Sequence, residues 1–337
     1  MDTVIITGSS GFIGYSLAKH LLENNYRVIG IDKHDGKGVL EILQNERHLQ
    51  LARFDNYLNI RRNLCDSLSD LEDVFKEAKC VIHLAATAGV RESNYKPAKY
   101  IKNNIVAFSN VIEMAKKTNV HHFIFASSSS VYGDIMPSDS GFSENLKLGN
   151  VQSIYAMTKI ENELEASVYS LQSEMKISGL RFFSVYGPFG RPDMAPWLFA
   201  CSILQGLPVI LYDEGLMRRD FTYIDNLVNS IQKVMEKGHE SIYEIYNIGC
   251  SSPQSVLKLL KTIETSLGKR AIIIYKERNC ADVKETFANM DKFCNEYDNG
   301  SPVEFQSFEN GIEKFCDWYY RFYEKFTHEL INAALYK

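Results

Sequence analysis

Residues 3–22 read TVIITGSSGFIGYSLAKHLL. The apolar run Val4–Thr7 is typical of a short buried β-strand, and from Phe12 onward apolar residues recur at helical spacing. A glycine-rich turn lies between these two segments. We therefore predict that the chain begins with a strand, a tight turn and a helix.

The turn holds three glycines, Gly8, Gly11 and Gly14. Glycine lets the backbone turn tightly and approach the pyrophosphate of a dinucleotide, which rests on the amides at the N-terminus of the helix. The next predicted strand, Arg27–Asp32, ends on a carboxylate, which in such folds accepts hydrogen bonds from ribose hydroxyls. Because an anion at Asp32 repels a 2′-phosphate, we expect NAD rather than NADP.

Strand-like and helix-like segments continue to alternate after Asp32. The further predicted elements are strands at Cys80–Ala85, His122–Ala126 and Ile177–Phe183, and helices from about Ala98 to Thr118 and from about Ser153 to Glu174. Repeated βαβ units imply a parallel sheet that is covered by helices on both faces. The predicted fold class is therefore α/β, a Rossmann-type doubly wound parallel sheet with a smaller C-terminal substrate-binding lobe.

The regular alternation ends near residue 181, where glycines and prolines interrupt the pattern. We assign residues 1–180 to an NAD-binding Rossmann domain, with a segment at about 218–250 that returns to it. The substrate-binding lobe is assigned to residues of about 181–217 and 251–337.

The overall composition narrows the class of protein. The 337-residue chain has a net charge of −5, so it lacks the basic excess of a nucleic-acid-binding protein. Its seven cysteines include no CxxC pair, which indicates neither a zinc site nor a disulfide framework. No positive segment precedes the first strand, and prolines interrupt the uncharged stretch 194–212. We therefore expect a cytoplasmic protein without a signal peptide or a membrane span.

Two groups of polar residues are candidates for chemistry. Tyr155 and Lys159 are four residues apart and so share one face of a predicted helix. A nearby cation lowers the pKa of a phenol, which suits that phenol to acid–base catalysis near neutral pH. The serines of Ser127–Ser130 follow a predicted strand, at the edge where parallel sheets bind ligands.

Taken together, these motifs resemble a known family. The glycine-rich turn, the Tyr-x-x-x-Lys pair, ASSSSVYG at 126–133, RFFSVYGP at 181–188 and RDFTYID at 219–225 are similar to those of the extended short-chain dehydrogenase/reductases. Within that family they resemble the nucleotide-sugar 4-epimerases. The segments LAATAGVR at 84–91 and GPFGRPDM at 187–194 look most like those of UDP-glucuronate 4-epimerases.

The resemblance implies roles for individual residues. Tyr155 would be the catalytic base, Lys159 would orient it and the nicotinamide ribose, and Ser128 would relay to the 4-hydroxyl of the sugar. The residues implied to bind NAD are Gly8, Gly11, Phe12, Ile13, Gly14, Asp32, Leu84, Ala85, Ala86 and Asn104, together with Tyr155 and Lys159. Those implied to bind a UDP-linked uronate are Arg91, Ser129, Ser130, Ser184, Arg191 and Arg219. The family resemblance also implies a homodimer, and no metal is expected.

Two places depart from the family's pattern. Asn63 stands where an acid usually faces adenine, and Asn279 lies in a segment that replaces a nucleotide-contacting pattern. We therefore assign neither the adenine nor the uridine contact. Arg191 lies in a loop bounded by glycine and proline, where we expect no acidic residue to pair with it.

Other noticeable side chains are interpreted as structural. His83 lies inside an apolar strand and is expected to be a hydrogen-bonded core residue. His121 and His122 are expected at the surface, because neither has a partner at metal-ligand spacing. The aromatic residues of 318–323 are expected to pack the smaller lobe.

The resemblance implies a transient oxidation at C4 of the sugar, in which Tyr155 takes the hydroxyl proton and the hydride later returns to the opposite face. Alternatives remain open. They are a 4-epimerase of UDP-N-acetylglucosaminuronate or of a neutral UDP-hexose, a related dehydratase or decarboxylase, and, from another class, a non-catalytic NAD-sensing protein. The uncharged Ser129 and Ser130 favour epimerisation over elimination, which needs a charged acid or base there.

Overall fold

A computed structural model describes residues 1–277 and 283–330 of the chain. The strands are β1 (Thr3–Thr7), β2 (Arg27–Asp32), β3 (Tyr57–Arg61), β4 (Cys80–His83), β5 (His122–Ser128), β6 (Lys176–Phe182), β7 (Ser184–Tyr186), β8 (Pro208–Tyr212), β9 (Arg218–Arg219), β10 (Phe221–Tyr223), β11 (Tyr243–Ile248), β12 (Gln254–Ser255), β13 (Ile272–Lys276) and β14 (Glu285–Thr286). The α-helices are α1 (Phe12–Glu23), α2 (Val39–Leu51), α3 (Glu72–Lys76), α4 (Val90–Tyr95), α5 (Pro97–Ile101), α6 (Ala107–Lys117), α7 (Ile154–Ser170), α8 (Ala195–Gln205), α9 (Ile224–Lys237), α10 (Val256–Leu267), α11 (Asp291–Tyr297) and α12 (Phe308–Lys325). Short 3₁₀ turns lie at Ser69–Leu71, Ser129–Tyr132 and Asp213–Gly215, and a π-helical turn lies at Lys102–Val106.

In the described part of the chain, seven parallel strands form the central sheet in the order β11-β6-β5-β4-β1-β2-β3. From β1 the chain proceeds to β2 on one side, whereas β4 and the later strands are added on the other side. The connections that leave β1 and β4 therefore run in opposite directions along the sheet. In open α/β sheets a ligand crevice forms at this position, outside the carboxyl ends of the strands. The predicted doubly wound α/β fold is confirmed.

Helices cover both faces of the central sheet. Along β1, the buried Val4 and Ile6 belong to one core with α1 and α9, whereas Ile5 belongs to a second core with α6. Successive residues of a strand point to opposite faces. A strand that is covered on both sides therefore needs apolar residues at each position, which explains the continuous apolar run in β1.

The smaller lobe consists of short strand pairs and helices. β13 pairs with β8, while β12 and β14 flank β9, and α12 packs against α8 and α10. The ring of Trp318 lies 4.8 Å from that of Phe189 and 5.8 Å from that of Trp197, so aromatic residues of α12 pack this lobe as predicted. β11 returns to the central sheet beside β6. The domain boundaries themselves stay predictions.

The helix predicted from about 98 to 118 is interrupted by a π-helical turn between α5 and α6. Inside that turn, the backbone carbonyl of Asn104 accepts a hydrogen bond of 2.9 Å from Nδ2 of Asn162 on α7. A π turn or kink forms where a side chain enters the regular helical hydrogen-bond ladder. Because the partner comes from a distant helix, the local apolar spacing does not reveal the interruption.

The prediction that His122 lies at the surface is wrong. His122 is buried at the start of β5, with its Nε2 2.8 Å from Oγ of Ser178. The same Oγ lies 2.9 Å from Nε2 of His239, whose Nδ1 lies 2.7 Å from the carbonyl oxygen of Ser241. Burial lowers the pKa of His122 to about 3. Its neutral ring belongs to a chain of hydrogen bonds that joins β5, β6 and the segment before β11.

Two other histidines lie as predicted. His121 is exposed, and His83 is buried with its Nδ1 2.9 Å from Oγ1 of Thr7. Burial also lowers the pKa of His83 to about 3. Both buried histidines are therefore neutral structural groups at neutral pH.

We predict that stability falls as the pH drops below the usual histidine pKa of about 6.5. The pKa of His122 is depressed only in the folded chain, so the unfolded chain takes up the proton first. This one group then removes up to about 1.4 kcal/mol of unfolding free energy per pH unit. We expect His122→Gln to flatten the decline in urea denaturation measured between about pH 7 and pH 5. The control is His121→Gln at the exposed neighbour, and identical slopes in all three proteins would contradict this account.

Candidate active site

The turn Gly8–Gly14, called the cofactor turn below, lies directly against the end of β4. Gly8 has a φ of +74°, and a Cβ there would lie 2.8 Å from Cα of Ala85. A Cβ at Gly14 would lie 2.1 Å from the carbonyl oxygen of Gly8, so glycine is required at both positions. Gly11 begins α1 without a side-chain cap, which leaves the first amides of the helix available to an outside acceptor. These features fit the diphosphate of a dinucleotide.

Asp32 lies at the end of β2, beside the cofactor turn. Its carboxylate is largely buried, with Oδ2 accepting a hydrogen bond of 3.0 Å from the amide of Ser10. Oδ1 accepts one of 2.9 Å from the amide of His34. A carboxylate has about four acceptor positions, so this anchored group still has lone pairs for ribose hydroxyls. The sequence indicated the acid but not the two amides that hold it.

The segment after β4 forms the opposite wall of the crevice. The amides of Leu84 and Ala85 each donate a hydrogen bond of 3.2 Å to Thr7, to its carbonyl and its hydroxyl oxygen respectively. Asn104 is buried, and its side chain bonds both the amide and the carbonyl of Thr87, at 2.7 and 3.0 Å. Asn104 therefore shapes this wall. Direct contact with NAD stays a prediction for Phe12, Ile13, Leu84, Ala85, Ala86 and Asn104.

The helix α7 carries Tyr155 and Lys159 in its first two turns. It begins at Ser153, whose Oγ accepts a hydrogen bond of 3.1 Å from an amide of the first turn. Lys159 is 3% exposed, and its Nζ donates to the carbonyl of Ala126 at 2.7 Å. That Nζ lies 6.0 Å from the ring centre of Tyr155. Burial lowers the pKa of Lys159 to about 8, against the opposing charge of Glu163.

Tyr155 and Ser128 meet at the carboxyl edge of the sheet. Burial raises the pKa of Tyr155, while a hydrogen bond with Ser128 and the positive charge of Arg191 lower it. Ser128 in turn accepts a hydrogen bond of 2.9 Å from Oγ of Ser130. The sequence predicted that Lys159 would lower the pKa of this phenol. That prediction is wrong, because burial outweighs the opposing effects of Ser128 and Arg191, and the pKa of Tyr155 is raised overall.

The expectation that no acid pairs with Arg191 is wrong. Its Nε and Nη2 lie 3.0 and 2.5 Å from the two carboxylate oxygens of Asp193. Although burial opposes it, Asp193 raises the pKa of Arg191. Only Pro192 separates the two residues in the sequence. Residues two apart lie on opposite sides of a regular helix, but in this loop they face each other. The guanidinium nevertheless lies near Tyr155. A Cβ on Gly89 would lie 3.5 Å from Nη2 of Arg191 and 3.1 Å from Oη of Tyr100, and the ring of Tyr100 lies 6.5 Å from that of Tyr155.

The other predicted substrate residues are distributed around the crevice and the smaller lobe. Ser129 lies in the 3₁₀ turn after β5, and Ser184 begins β7. Arg219 lies on β9, with Nη1 donating to two backbone carbonyl oxygens at 2.8 and 3.3 Å. The guanidinium of Arg91, on α4, lies 5.4 Å from the ring centre of Tyr212. Contact of these residues with a substrate stays a prediction.

The two departures from the family pattern have different outcomes. Oδ1 of Asn63 accepts a hydrogen bond of 3.2 Å from the amide of Cys65, so this side chain caps its own turn. Asn279 lies outside the described residues, as does the rest of the segment 278–282.

A buried ion pair behind Tyr155 and Lys159 was not predicted from the sequence. Nε and Nη2 of Arg181 lie 2.9 and 2.7 Å from the two carboxylate oxygens of Glu163, and both side chains are less than a tenth exposed. Oγ of Ser127 donates to the same carboxylate at 2.5 Å. Glu163 lies one helical turn after Lys159, and Arg181 is the charged residue in the buried part of β6. The position of Glu163, four residues after Lys159, and a charged residue inside an apolar strand were the sequence features that could have predicted this ion pair.

Two negative findings apply to residues 1–277 and 283–330. No group of three histidine, cysteine or acidic side chains is arranged to hold a metal ion. No helix there combines the length and the apolar character needed to cross a bilayer.

Comparison with known proteins identifies similar chains. The model of the NAD dependent epimerase/dehydratase family matches residues 4–249. Protein CapI of Staphylococcus aureus is 36% identical over 340 residues, covering 96% of this chain and 99% of that protein. A UDP-glucuronate 4-epimerase of Thermodesulfobacterium geofontis is 33% identical, with 94% and 96% covered. The crystal structure of UDP-glucuronic acid 4-epimerase from Bacillus cereus, in complex with UDP-glucuronic acid and NAD, is 31% identical with a TM-score of 0.87. It covers 95% of this chain and 100% of its own.

We predict that Asp32→Ala weakens NAD binding because the ribose hydroxyls lose a charged acceptor. A hydrogen bond to a charged group contributes about 1.5–3 kcal/mol, so the Kd should rise about tenfold or more. Calorimetric titration of cofactor-stripped protein measures this directly. Asp35→Ala removes the same charge from an exposed position and should leave the affinity unchanged. An unaltered Kd in Asp32→Ala would place the ribose elsewhere.

Proposed function

The chain belongs to the NAD-dependent epimerase/dehydratase family, and from that membership we propose that it is an NAD-dependent 4-epimerase that converts UDP-glucuronate to UDP-galacturonate. The observation that carries the proposal is the placement of the buried Lys159, with Nζ 6.0 Å from the ring centre of Tyr155 and bonded to the carbonyl of Ala126 on β5, the strand that ends at Ser128. Relatives named for this reaction match nearly the whole chain. The protein is an enzyme, and its cofactor is NAD.

The chain's own residues supply the proton transfers of the reaction. NAD, when bound, supplies the acceptor and donor of the C4 hydride. Tyr155 takes the proton of the C4 hydroxyl and returns it after the sugar has presented its other face. Ser128, the last residue of β5, lowers the pKa of the phenol, and we assign it the relay between the phenol and the sugar. Lys159 holds its ammonium on the carbonyl of Ala126, where it orients the catalytic helix and the nicotinamide ribose.

We assign recognition of the uronate carboxylate to Arg191, Ser129, Ser130 and Ser184. Arg191 is a cation beside Tyr100, whose ring lies 6.5 Å from that of Tyr155, and we place it at the reacting end of the sugar. Each serine hydroxyl can donate one hydrogen bond to an anion, and the short side chains leave room for it. A neutral hexose with a CH₂OH group lacks the charge that these groups would bind.

Epimerisation is favoured over elimination by the residues next to Ser128. Elimination at C5 and C6 requires an acid or base of suitable pKa beside the catalytic hydroxyl. Ser129 and Ser130 offer only hydroxyls there. The carboxylate of Glu163 lies behind the site and is held by Arg181, so it does not serve as that base.

We propose that the enzyme is a homodimer that pairs through α7 and the neighbouring helices. Leu164 and Val168 of α7 and Leu171, the residue that follows it, are 60%, 52% and 85% exposed and follow one another at helical spacing. Ile101 and Val106, near the adjoining α6, are also exposed. Exposed apolar residues on neighbouring elements are characteristic of protein interfaces.

We also propose a cytoplasmic location and a small-molecule substrate rather than a nucleic acid. Cys65, Cys80, Cys201, Cys250, Cys294 and Cys316 are free thiols. Unpaired cysteines are the usual state in a reducing compartment. The net charge of −5 does not favour a polyanionic partner.

We expect charged substitutions on this face of α7 to dissociate the dimer. The double variant Leu164→Glu/Val168→Glu places like charges opposite each other across a twofold interface, and its mass by light scattering should be that of a monomer. Leu49→Glu alters a leucine of similar exposure on α2 and should leave the wild-type mass. A monomeric wild-type protein, or a dimeric double variant, would contradict the proposal.

The function itself is tested with Tyr155→Phe. Wild-type protein should convert UDP-glucuronate to UDP-galacturonate without added reductant, as followed by chromatography of the sugar nucleotides. Removing the phenolic oxygen should lower kcat by about 10²–10⁴-fold, the usual contribution of a general base, while NAD stays bound. Tyr275→Phe, at an exposed tyrosine, serves as the control. A wild type inactive on UDP-glucuronate, or a fully active Tyr155→Phe, would refute the assignment.

A further inference from the structure

Arg47, on α2, is a buried cation that no acidic side chain neutralises directly. It is 2% exposed, and no salt bridge with a carboxylate is found for it among the described residues. Its Nε has no hydrogen-bond partner within those residues. Burial lowers the pKa of Arg47 to about 10. Burying a charge without a counter-ion is costly, so the contacts that this guanidinium does make are the key to its role.

Those contacts join two separate segments of the active site. Nη1 donates a hydrogen bond of 2.8 Å to the carbonyl of Ser10, in the cofactor turn. Nη2 donates one of 2.6 Å to the carbonyl of Phe189. Phe189 belongs to residues 187–194, called the substrate loop below, which also carry Arg191. A single planar guanidinium therefore links the cofactor turn to the substrate loop.

The backbone of Phe189 is held in a conformation that the residue does not prefer. Its φ is +60°, in the left-handed region that a bulky side chain adopts only at an energetic cost. The ring of Phe189 packs 4.9 Å from that of Tyr15 and 4.8 Å from that of Trp318. Contacts from α1, α2 and α12 thus hold the substrate loop in place. The polar contact among them is the hydrogen bond from Arg47.

The position of the substrate loop determines where Arg191 lies relative to the reacting groups. Arg191 follows Phe189 by two residues, and its Nη2 lies near Oη of Tyr100, whose ring is 6.5 Å from that of Tyr155. A shift of the Phe189 carbonyl would move the start of the segment that carries this guanidinium. Recognition of an anion by a guanidinium depends on the placement of its donors.

We propose that Arg47 is a positioning residue that fixes the substrate loop against the cofactor turn and so places Arg191 to receive the carboxylate of a nucleotide-linked uronate. This inference rests on the proposed function. It assigns to a residue outside the sugar site a share in selecting an acidic sugar over a neutral one. A purely structural role would affect all ligands of the site equally.

The test compares Arg47→Met, Arg47→Lys, Arg191→Ala and the double variant Arg47→Met/Arg191→Ala, all loaded with NAD. Kd values for UDP-glucuronate and UDP-glucose are measured by calorimetry. We expect Arg47→Met to raise the Kd for UDP-glucuronate about tenfold and the Kd for UDP-glucose less than about twofold, since only UDP-glucuronate carries the carboxylate. Arg47→Lys keeps the charge but not the planar fork, and its effect should lie between wild type and Arg47→Met.

The double variant distinguishes action through Arg191 from an independent effect. Residues that act as one unit are non-additive, so the double variant should bind UDP-glucuronate no more weakly than Arg191→Ala alone. The control is Arg53→Met, which removes an exposed cation just after α2 and should change neither Kd. Thermal unfolding verifies that the variants are folded. If Arg47→Met does not fold, the same comparison of the two ligands is made with Arg47→Lys.

Two results would overturn the proposal. If Arg47→Met raised the Kd of both ligands equally, Arg47 would have only a general structural role. If the effects of the two substitutions were additive in the double variant, Arg47 would not act through Arg191. Failure of the proposed function is distinguishable from both. In that case the wild-type protein would not interconvert UDP-glucuronate and UDP-galacturonate, whatever the Arg47 variants bind.

Discussion

Between β1 and β4, the backbone of the cofactor turn approaches the backbone after β4 so closely that a Cβ on Gly8 would lie 2.8 Å from Cα of Ala85. This contact closes the floor of the crevice at the point where the strand connections diverge. Because the strands are parallel, Ser128 at the end of β5 and Ser184 just after β6 reach the same edge of the sheet. The catalytic helix and the smaller lobe are then placed around that floor.

Buried polar groups keep these parts in register with one another. The ion pair of Glu163 and Arg181 lies behind Lys159. Between β9 and β10, the fully buried Asp220 accepts hydrogen bonds from three backbone amides at 2.8 to 3.0 Å, and burial raises its pKa to about 6. Such groups are costly to bury unless they are well bonded. They hold one arrangement of segments that apolar packing alone would leave less well defined.

The sequence was most informative where structure depends on neighbouring residues. The apolar run of β1, the glycine spacing and the four-residue interval between Tyr155 and Lys159 predicted the sheet, the turn and the catalytic helix face. The sequence was uninformative where the conformation of a residue depends on a hydrogen-bond partner far away in the chain. The burial of His122 depends on Ser178, a strand away, and the π turn depends on Asn162. The pair of Arg191 and Asp193 was missed for a different reason, because loop geometry lets residues two apart face each other.

That last pair changes how binding of an acidic sugar should be understood. Asp193 offers Arg191 a carboxylate from the chain itself, so under the proposed role of Arg191 an incoming carboxylate would compete with an existing partner. The free energy gained would then be a difference between two ion pairs and smaller than that of forming one anew. Affinity for the sugar nucleotide would come mainly from its nucleotide portion. The exchange at Arg191 would instead discriminate between sugars, since a neutral sugar has no carboxylate to replace Asp193.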